Sequence, residues 1–336
     1  MGTTGWGTTL SIIMARQGHR VTLWARTRDE AERLQTDREN RRLLPGFPCP
    51  PSLKVTASLD DAFRDAHLVI LAVPSKTLRA NVQQVRHTLP HRSIIVSATK
   101  GLEMSTGLGM SQVLQEELPG PLKNRVCALS GPNLAREIAQ GRPASTVVAS
   151  HDPQLAQAVQ HALMSPLFRV YTNADVVGVE LAGALKNIIA LGAGIGDGLG
   201  YGNNSKAAFI TRGLAEITRL GVAAGASPLT FAGLAGMGDL IATAASPLSR
   251  NRYVGEQLAK GRTLEEILAS MDNVAEGVDT TAAAVKLAKE LGVEMPITQT
   301  AYRVLFEHLD PLQAVEELMT RAPRPEWVGL PPSFMP

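Results

Sequence analysis

Residues 2–24 read GTTGWGTTLSIIMARQGHRVTLW, and this stretch decides the fold. Its first six residues, Gly2-Thr3-Thr4-Gly5-Trp6-Gly7, make a glycine-rich loop. A helical pattern runs from Thr8 to Gln17, and Gly18 is placed to end it in a left-handed conformation. Arg20-Val21-Thr22-Leu23-Trp24 then reads as a strand. Glycines at the head of a helix let backbone N–H groups approach a pyrophosphate, where the helix dipole favours an anion. Gly2 and Gly7 hold the first and third places of a G-x-G-x-x-G pattern, and Thr4 holds the second. A loop of this spelling is also an ordinary turn; the strand ending at Trp24 favours the dinucleotide reading. The pattern needs a strand leading into it, and Met1 leaves no room for one. The sequence therefore predicts a natural chain that starts upstream of Met1, with the first strand of the sheet missing here.

Outward from that stretch, apolar β-branched runs recur at 68–73 (LVILAV), 93–97 (SIIVS), 126–129 (VCAL) and 146–149 (TVVA). Continuous apolar runs suit parallel strands covered on both faces. Helical patterns lie between them, so the first part predicts an α/β, Rossmann-like, doubly wound sheet. After Asp175 strand-like runs stop and Ala, Leu and Gly dominate, which predicts an all-α second part. Ser205 is placed to cap a helix ending near Ala224, with Asn203 and Asn204 as turn residues before it. Thr263-Leu264-Glu265-Glu266 spells a capping box. Asp279 is placed to cap a helix ending near Leu291, and Pro296 to open one that runs to Leu309. The expected organisation is a dinucleotide-binding domain over 1–174, a helical substrate-binding and catalytic domain over 175–322, and a loose Pro-rich tail over 323–336.

Composition narrows the function. The 336 residues carry 33 Lys+Arg against 31 Asp+Glu, so charge gives no case for nucleic acid or an anionic membrane as main partner. The region 176–200 is long and apolar but holds Glu180, Lys186 and Asp197, which predicts a buried helix rather than a membrane span. Cys49 and Cys127 form no CxxC pair, and the seven histidines show no ligand spacing, so no metal is expected. No signal peptide is visible and the cysteine usage suits a reducing compartment, so a cytoplasmic protein is expected. A homodimer is expected only from the frequency of such assemblies.

Several segments carry chemistry. Val73-Pro74-Ser75, Thr99-Lys100-Gly101 and Ser130-Gly131-Pro132-Asn133 each follow a predicted strand, on the edge where open α/β sheets bind ligands. Lys186 stands in a helix otherwise made of Ala, Leu, Ile and Gly. Desolvation there would make it a usable general base; a structural ion pair is the alternative. Gly236-Met237-Gly238-Asp239 and Ser249-Arg250-Asn251-Arg252 follow. The second offers a guanidinium, a hydroxyl and an amide before a helix, a set that suits a phosphate or simply caps the helix. Arg26 lies 19 residues beyond Gly7, where an NAD-specific site usually has an acid. A guanidinium there suits a 2′-phosphate or stacks on adenine, with an ordinary solvated surface arginine as the alternative; NADP is expected to be at least accepted, alongside NAD.

Taken in order, these segments resemble the bacterial NAD(P)-dependent glycerol-3-phosphate dehydrogenases. The resemblance runs from Gly2 to about Met319 and is carried by GWGTTL, AVPS, SATKGLE, LSGPNLAREIAQGRP, the long run from Gly178 to Ile217, GLAGMGDLIATA, SRNRYVG and AEGVDT. It implies interconversion of sn-glycerol 3-phosphate and dihydroxyacetone phosphate with NAD(P), in service of phospholipid synthesis. It implies that Lys186 is the proton acceptor, and that Lys100 contacts substrate and cofactor. It places Asp239, Ser249, Arg250 and Asn251 in the substrate pocket, with Gly131 and Asn133 as further contacts. Gly2, Gly5, Trp6, Gly7, Arg26, Lys100, Ala135, Arg250, Val274 and Glu276 fall at cofactor positions. Thr4 stands where the family has Gly, Gly5 where it commonly has Ser, and Asn133 where Ser or Thr is usual. A dehydrogenase of the β-hydroxyacid or ketopantoate type and a non-catalytic NAD(P)-sensing protein are the competing readings.

Overall fold

The computed structural model describes residues 2–271 and 274–326. The end of the expected Pro-rich tail, 327–336, lies outside the described residues. By its contacts the chain forms two units, one of residues 1–100 and 110–176 and one of residues 101–109 and 177–336.

The first unit opens with α1 (Gly5–Arg16), β1 (Thr22–Trp24), α2 (Arg28–Asp37), β2 (Lys54–Thr56) and α3 (Leu59–Phe63). It continues through β3 (Leu68–Leu71), α4 (Leu78–Val85), β4 (Ile94–Ser97) and α5 (Met110–Glu117). It closes with β5 (Val126–Ser130), α6 (Ala135–Ala139), β6 (Ala144–Ala149), α7 (Pro153–Leu163) and β7 (Phe168–Asn173). The alternation anticipated from the sequence is present, in an α/β unit of mostly parallel strands. Parallel pairs are β1·β2, β3·β4, β4·β5 and β6·β7. The sheet is in two pieces, β1-β2 and β3-β4-β5-β6-β7. No ladder joins β1 to β3 among the described residues. At the ends of these two strands, the Gly2 N–H donates to Trp24 O at 3.4 Å and Thr4 Oγ1 donates to Ala72 O at 2.7 Å.

The expectation of an all-parallel sheet needs correction at one pair: β5 and β6 run antiparallel, with Ser130 opposite Val147. The single turn of helix α6 between them is too short to carry a right-handed crossover, so the chain turns back at Gly141 (φ 78°). Strands β2 and β7 were not anticipated. Their patterns, KVT and FRVYTN, are short or alternate with exposed polar residues and lack a continuous apolar run. The core between sheet and helices joins Leu10 and Ile13 of α1 to Val96, Cys127, Leu129 and Val148 of the strands and Val159 of α7.

The second unit contains α8 (Val176–Gly198), α9 (Asn203–Ala223), α10 (Pro228–Phe231), α11 (Asp239–Ala245) and α12 (Arg250–Ala259). Helices α13 (Leu264–Ala269), α14 (Glu276–Glu290), α15 (Pro296–Phe306) and α16 (Pro311–Met319) complete it. The helix α8 is long and apolar enough to cross a membrane, but 83% of its apolar window is buried, so it is the central core helix of this unit. The Thr263–Glu266 capping box forms in full, and Pro296 opens α15. Three boundaries differ from expectation. Asn203 and Asn204 begin α9 rather than precede it, and Gly202, not Ser205, is the cap. Helix α14 starts at Glu276, so Asp279 lies inside its first turn, favourably placed against the helix dipole. Helix α15 ends at Phe306, because His308 adopts a left-handed φ of 57°.

Glycines set the approach of α8 and α12. A Cβ on Gly255 would stand 1.9 Å from Leu191 O, and one on Gly194 would stand 2.0 Å from Arg252 O. Only hydrogen fits at either position, so the two backbones touch. Asp197 of α8 then binds Arg252 at 2.6 Å and Lys206 of α9 at 2.5 Å. This contact fixes where the following residues of α8 and α12 meet.

Candidate active site

Helix α8 has one lysine on its buried face. Lys186 is 5% exposed and lies among fully buried Leu185, Ile188 and Ile189. Its Nζ donates to Asp239 Oδ1 at 3.0 Å and to Thr243 Oγ1 at 2.5 Å. The Thr243 hydroxyl donates in turn to Asp239 Oδ1 at 3.2 Å. Asp239 and Thr243 share one face of α11 because four residues make just over one turn. A π-helical turn over Leu234–Gly238 delivers Asp239. Such widened turns are frequent at functional sites. A buried ammonium needs a counter-charge and hydrogen bonds, and both are supplied here. Lys186 and Asp239 were singled out from sequence. Thr243 was not, although its spacing from Asp239 was the available signal.

The next residue along α8 makes a second buried tie. Asn251 Nδ2 donates to Asn187 Oδ1 at 2.8 Å, and Asn251 Oδ1 accepts the Gly277 N–H at 2.9 Å. One amide therefore pins α8, α12 and the first turn of α14. Ser249 caps α12, its hydroxyl accepting the Arg252 N–H at 3.2 Å. The capping reading of the Ser-Arg-Asn cluster is thus realised at its serine. Arg250 is exposed, yet protein crowding lowers its pKa, and the nearby Glu276 charge opposes that shift. Glu276 begins α14, and Val274 lies two residues before it.

In the first unit, Lys100 Nζ donates to Gly131 O at 2.8 Å. Gly131 has φ 142°, and a Cβ there would stand 3.0 Å from Thr146 Cα, so glycine is required. Asn133 Nδ2 donates to Thr146 Oγ1 at 3.0 Å, while its Oδ1 is buried with no partner. The Ser130 hydroxyl beside it is likewise buried and unpartnered. Orphaned polar atoms at the carboxyl ends of strands are unusual in a folded interior and suit a polar ligand. Ala135 begins α6, and its carbonyl accepts the Thr9 hydroxyl at 3.2 Å.

The glycine loop fits a pyrophosphate. Thr4 caps α1, accepting the Gly7 N–H at 3.0 Å. The N–H groups of Gly5 and Trp6, in the first helical turn, have no intrahelical acceptor. A Cβ on Gly7 would stand 2.1 Å from Gly2 O, so the turn can be this tight only with glycine. The Trp6 indole N–H is buried without a partner. Arg26 is exposed just past the carboxyl end of β1, where the adenine ribose of a dinucleotide lies in such sheets. Thr4 in the second glycine place does not block the loop, because its side chain turns inward to Ala72 O.

A glycine loop heading a nucleotide-type sheet, joined in one chain to helices that bury a lysine–aspartate pair, defines a two-domain dinucleotide-dependent dehydrogenase. Comparison with known proteins is more specific. The family described as NAD-dependent glycerol-3-phosphate dehydrogenase matches this chain with its N-terminal part at residues 1–156 and its C-terminal part at 175–316. The chain belongs to this family. It is 50% identical to the glycerol-3-phosphate dehydrogenase [NAD(P)+] of a Dehalococcoides mccartyi strain over 98% of this chain and 92% of the relative. It is 49% identical to that of Chlorobium limicola over 97% of this chain and 98% of the relative. The crystal structure of glycerol-3-phosphate dehydrogenase from Coxiella burnetii is similar at 36% identity and TM-score 0.91, covering 95% of this chain and 97% of that one. A ketopantoate reductase from Ralstonia eutropha shares the fold alone, at 18% identity and TM-score 0.59 over 94% of this chain and 98% of that one.

Proposed function

We propose that this chain reversibly interconverts sn-glycerol 3-phosphate and dihydroxyacetone phosphate with NAD or NADP as cofactor. The observation that carries the reading is the buried Lys186 ammonium held by Asp239 and Thr243. Oxidation of a secondary alcohol must remove a proton from oxygen and a hydride from carbon. The bound nicotinamide supplies the hydride chemistry. Lys186 Nζ, as the neutral amine, accepts the hydroxyl proton; in reduction its ammonium returns it. Asp239 and Thr243 hold Nζ in one place and stabilise its charged form. Lys100, at the end of the sheet, places positive charge for the substrate oxygen. Arg250 grips the phosphate, and that remote contact orients the reacting carbon. The unpartnered Asn133 Oδ1 is suited to the substrate's polar groups, while Asn251 holds α8, α12 and the first turn of α14 in place. The physiological direction would be toward glycerol 3-phosphate, the backbone of phospholipids, and the two buried thiols suit a cytoplasmic enzyme.

A spectrophotometric panel tests this. NADH and NADPH are each offered with dihydroxyacetone phosphate, unphosphorylated dihydroxyacetone and ketopantoate. Consumption of reduced cofactor is expected with the phosphorylated triose, at most weakly with unphosphorylated dihydroxyacetone, and not with ketopantoate. Cofactor binding without consumption on any of the three would make the protein a sensor, and turnover of ketopantoate would move it to the neighbouring class.

A further inference from the structure

Arg26 points to a 2′-phosphate on the cofactor, yet the structure sets a carboxylate against the same loop. Thr27 caps α2, its hydroxyl accepting the Glu30 N–H at 3.3 Å. Thr27-Arg28-Asp29-Glu30 has the S/T-x-x-E spelling of a capping box, in which the glutamate reaches back to the N–H of the cap residue. Thr263 and Glu266 form both halves of that motif. At α2 only the threonine half forms. The Glu30 carboxylate is turned away from its own helix and accepts the Thr3 hydroxyl at 2.7 Å, 27 positions back in the chain.

Thr3 lies between two fixed points. Gly2 before it donates to Trp24 O at the end of β1, and Thr4 after it caps α1. The Glu30 carboxylate is therefore held beside the glycine loop, between the anion-binding end of α1 and the end of β1, where Arg26 also emerges. Arg28 does not serve as its counter-charge, since it pairs on the surface with Glu32 at 3.8 Å. In dinucleotide sites an acid beyond the second strand accepts the adenine ribose 2′-hydroxyl, and an arginine there accommodates a 2′-phosphate. This loop holds one of each.

We propose that Glu30 is a specificity-determining residue for the cofactor, accepting the adenine ribose hydroxyl of NAD(H) and repelling the 2′-phosphate of NADP(H), in opposition to Arg26. Thr3 is the positioning residue that keeps the carboxylate at the loop. The inference rests on the dehydrogenase reading above and concerns cofactor choice alone. It also gives a physical reason for a helix that leaves half of its cap unmade.

Glu30→Gln removes the charge and keeps an oxygen to accept the Thr3 hydroxyl. Dissociation constants for NADH and NADPH are measured by nicotinamide fluorescence with no substrate present, beside kcat/KM for each. The NADPH preference is expected to rise by about tenfold, about 1.4 kcal/mol. Arg26→Ala is expected to shift it the other way, and Thr3→Val, which frees the carboxylate, to shift it in the direction of Glu30→Gln by less. A folded Glu30→Gln protein whose NADH/NADPH binding ratio stays within twofold of the parent overturns the proposal. Should that variant fail to fold, an unchanged ratio in Thr3→Val does so. A parent that binds both cofactors and turns over no phosphorylated triose defeats the proposed reaction, while the binding ratio still decides the role of Glu30.

Discussion

Replacing Lys186 by methionine separates chemistry from stability in this protein. The substitution keeps the length of the side chain and removes the ammonium. Asp239, 2% exposed, then keeps the Thr243 hydroxyl at 3.2 Å but loses its counter-ion. Breaking a buried ion pair from one side costs about 3–5 kcal/mol, because the remaining charge is left in a poorly solvating interior. At about 2 kcal/mol per molar urea, a loss of about 3 kcal/mol moves the unfolding midpoint of the helical unit down by about 1.5 M. Turnover should fall by about 10² or more, the scale of a lost general acid–base. The double variant Lys186→Met/Asp239→Asn removes both charges. Its midpoint should return to within about 0.5 M of the parent, about 1 kcal/mol, while its turnover stays low. Urea titration followed by circular dichroism reads the first quantity, and the nicotinamide band reads the second. A single variant with turnover within tenfold of the parent would remove Lys186 from the proton transfer. A double variant as unstable as the single one would refute the buried-charge argument while leaving the chemistry untouched.

Arg250→Ala should raise KM for dihydroxyacetone phosphate at least about tenfold and leave the weak reduction of unphosphorylated dihydroxyacetone nearly unchanged; equal losses on both would contradict phosphate binding. Gly255→Ala puts a methyl 1.9 Å from Leu191 O, so it should destabilise the helical unit by about 2 kcal/mol and lower activity with it, as read by thermal unfolding. Burial pushes the Cys127 thiol up to about 11 and raises that of Cys49. A raised pKa favours the protonated form in the fold, so this contribution to stability is full below 9 and is lost as pH rises through 11. At pH 8 both thiols should therefore react with a disulfide reagent only as fast as the chain unfolds, and rapid labelling of the native protein would disprove the burial argument.

Much of the site was legible because its residues stand out locally. A lysine in an apolar helix, glycines at the head of another, and a serine–arginine–asparagine run before a third are each anomalies against their own neighbours. The partners of those residues were less legible. Thr243 sits 57 positions from Lys186 and Asn251 sits 64 from Asn187, and nothing within either window announces the other. Glu30 shows the limit most clearly. Its spelling predicts a local cap, and the structure spends its carboxylate on Thr3 instead.

The sequence by itself determined the alternation of strands and helices in the first part apart from β2 and β7, the glycine loop, the change to an all-helical second part and the lysine that stands out in α8. These follow from periodicity, capping and burial, which act over one or two turns of chain. Only the tertiary structure decided the antiparallel return of β6, the contact of α8 with α12, the Asp239–Thr243 cradle and the diversion of Glu30. Each of those depends on which distant backbone comes within hydrogen-bonding reach, and that is a property of packing rather than of any local pattern.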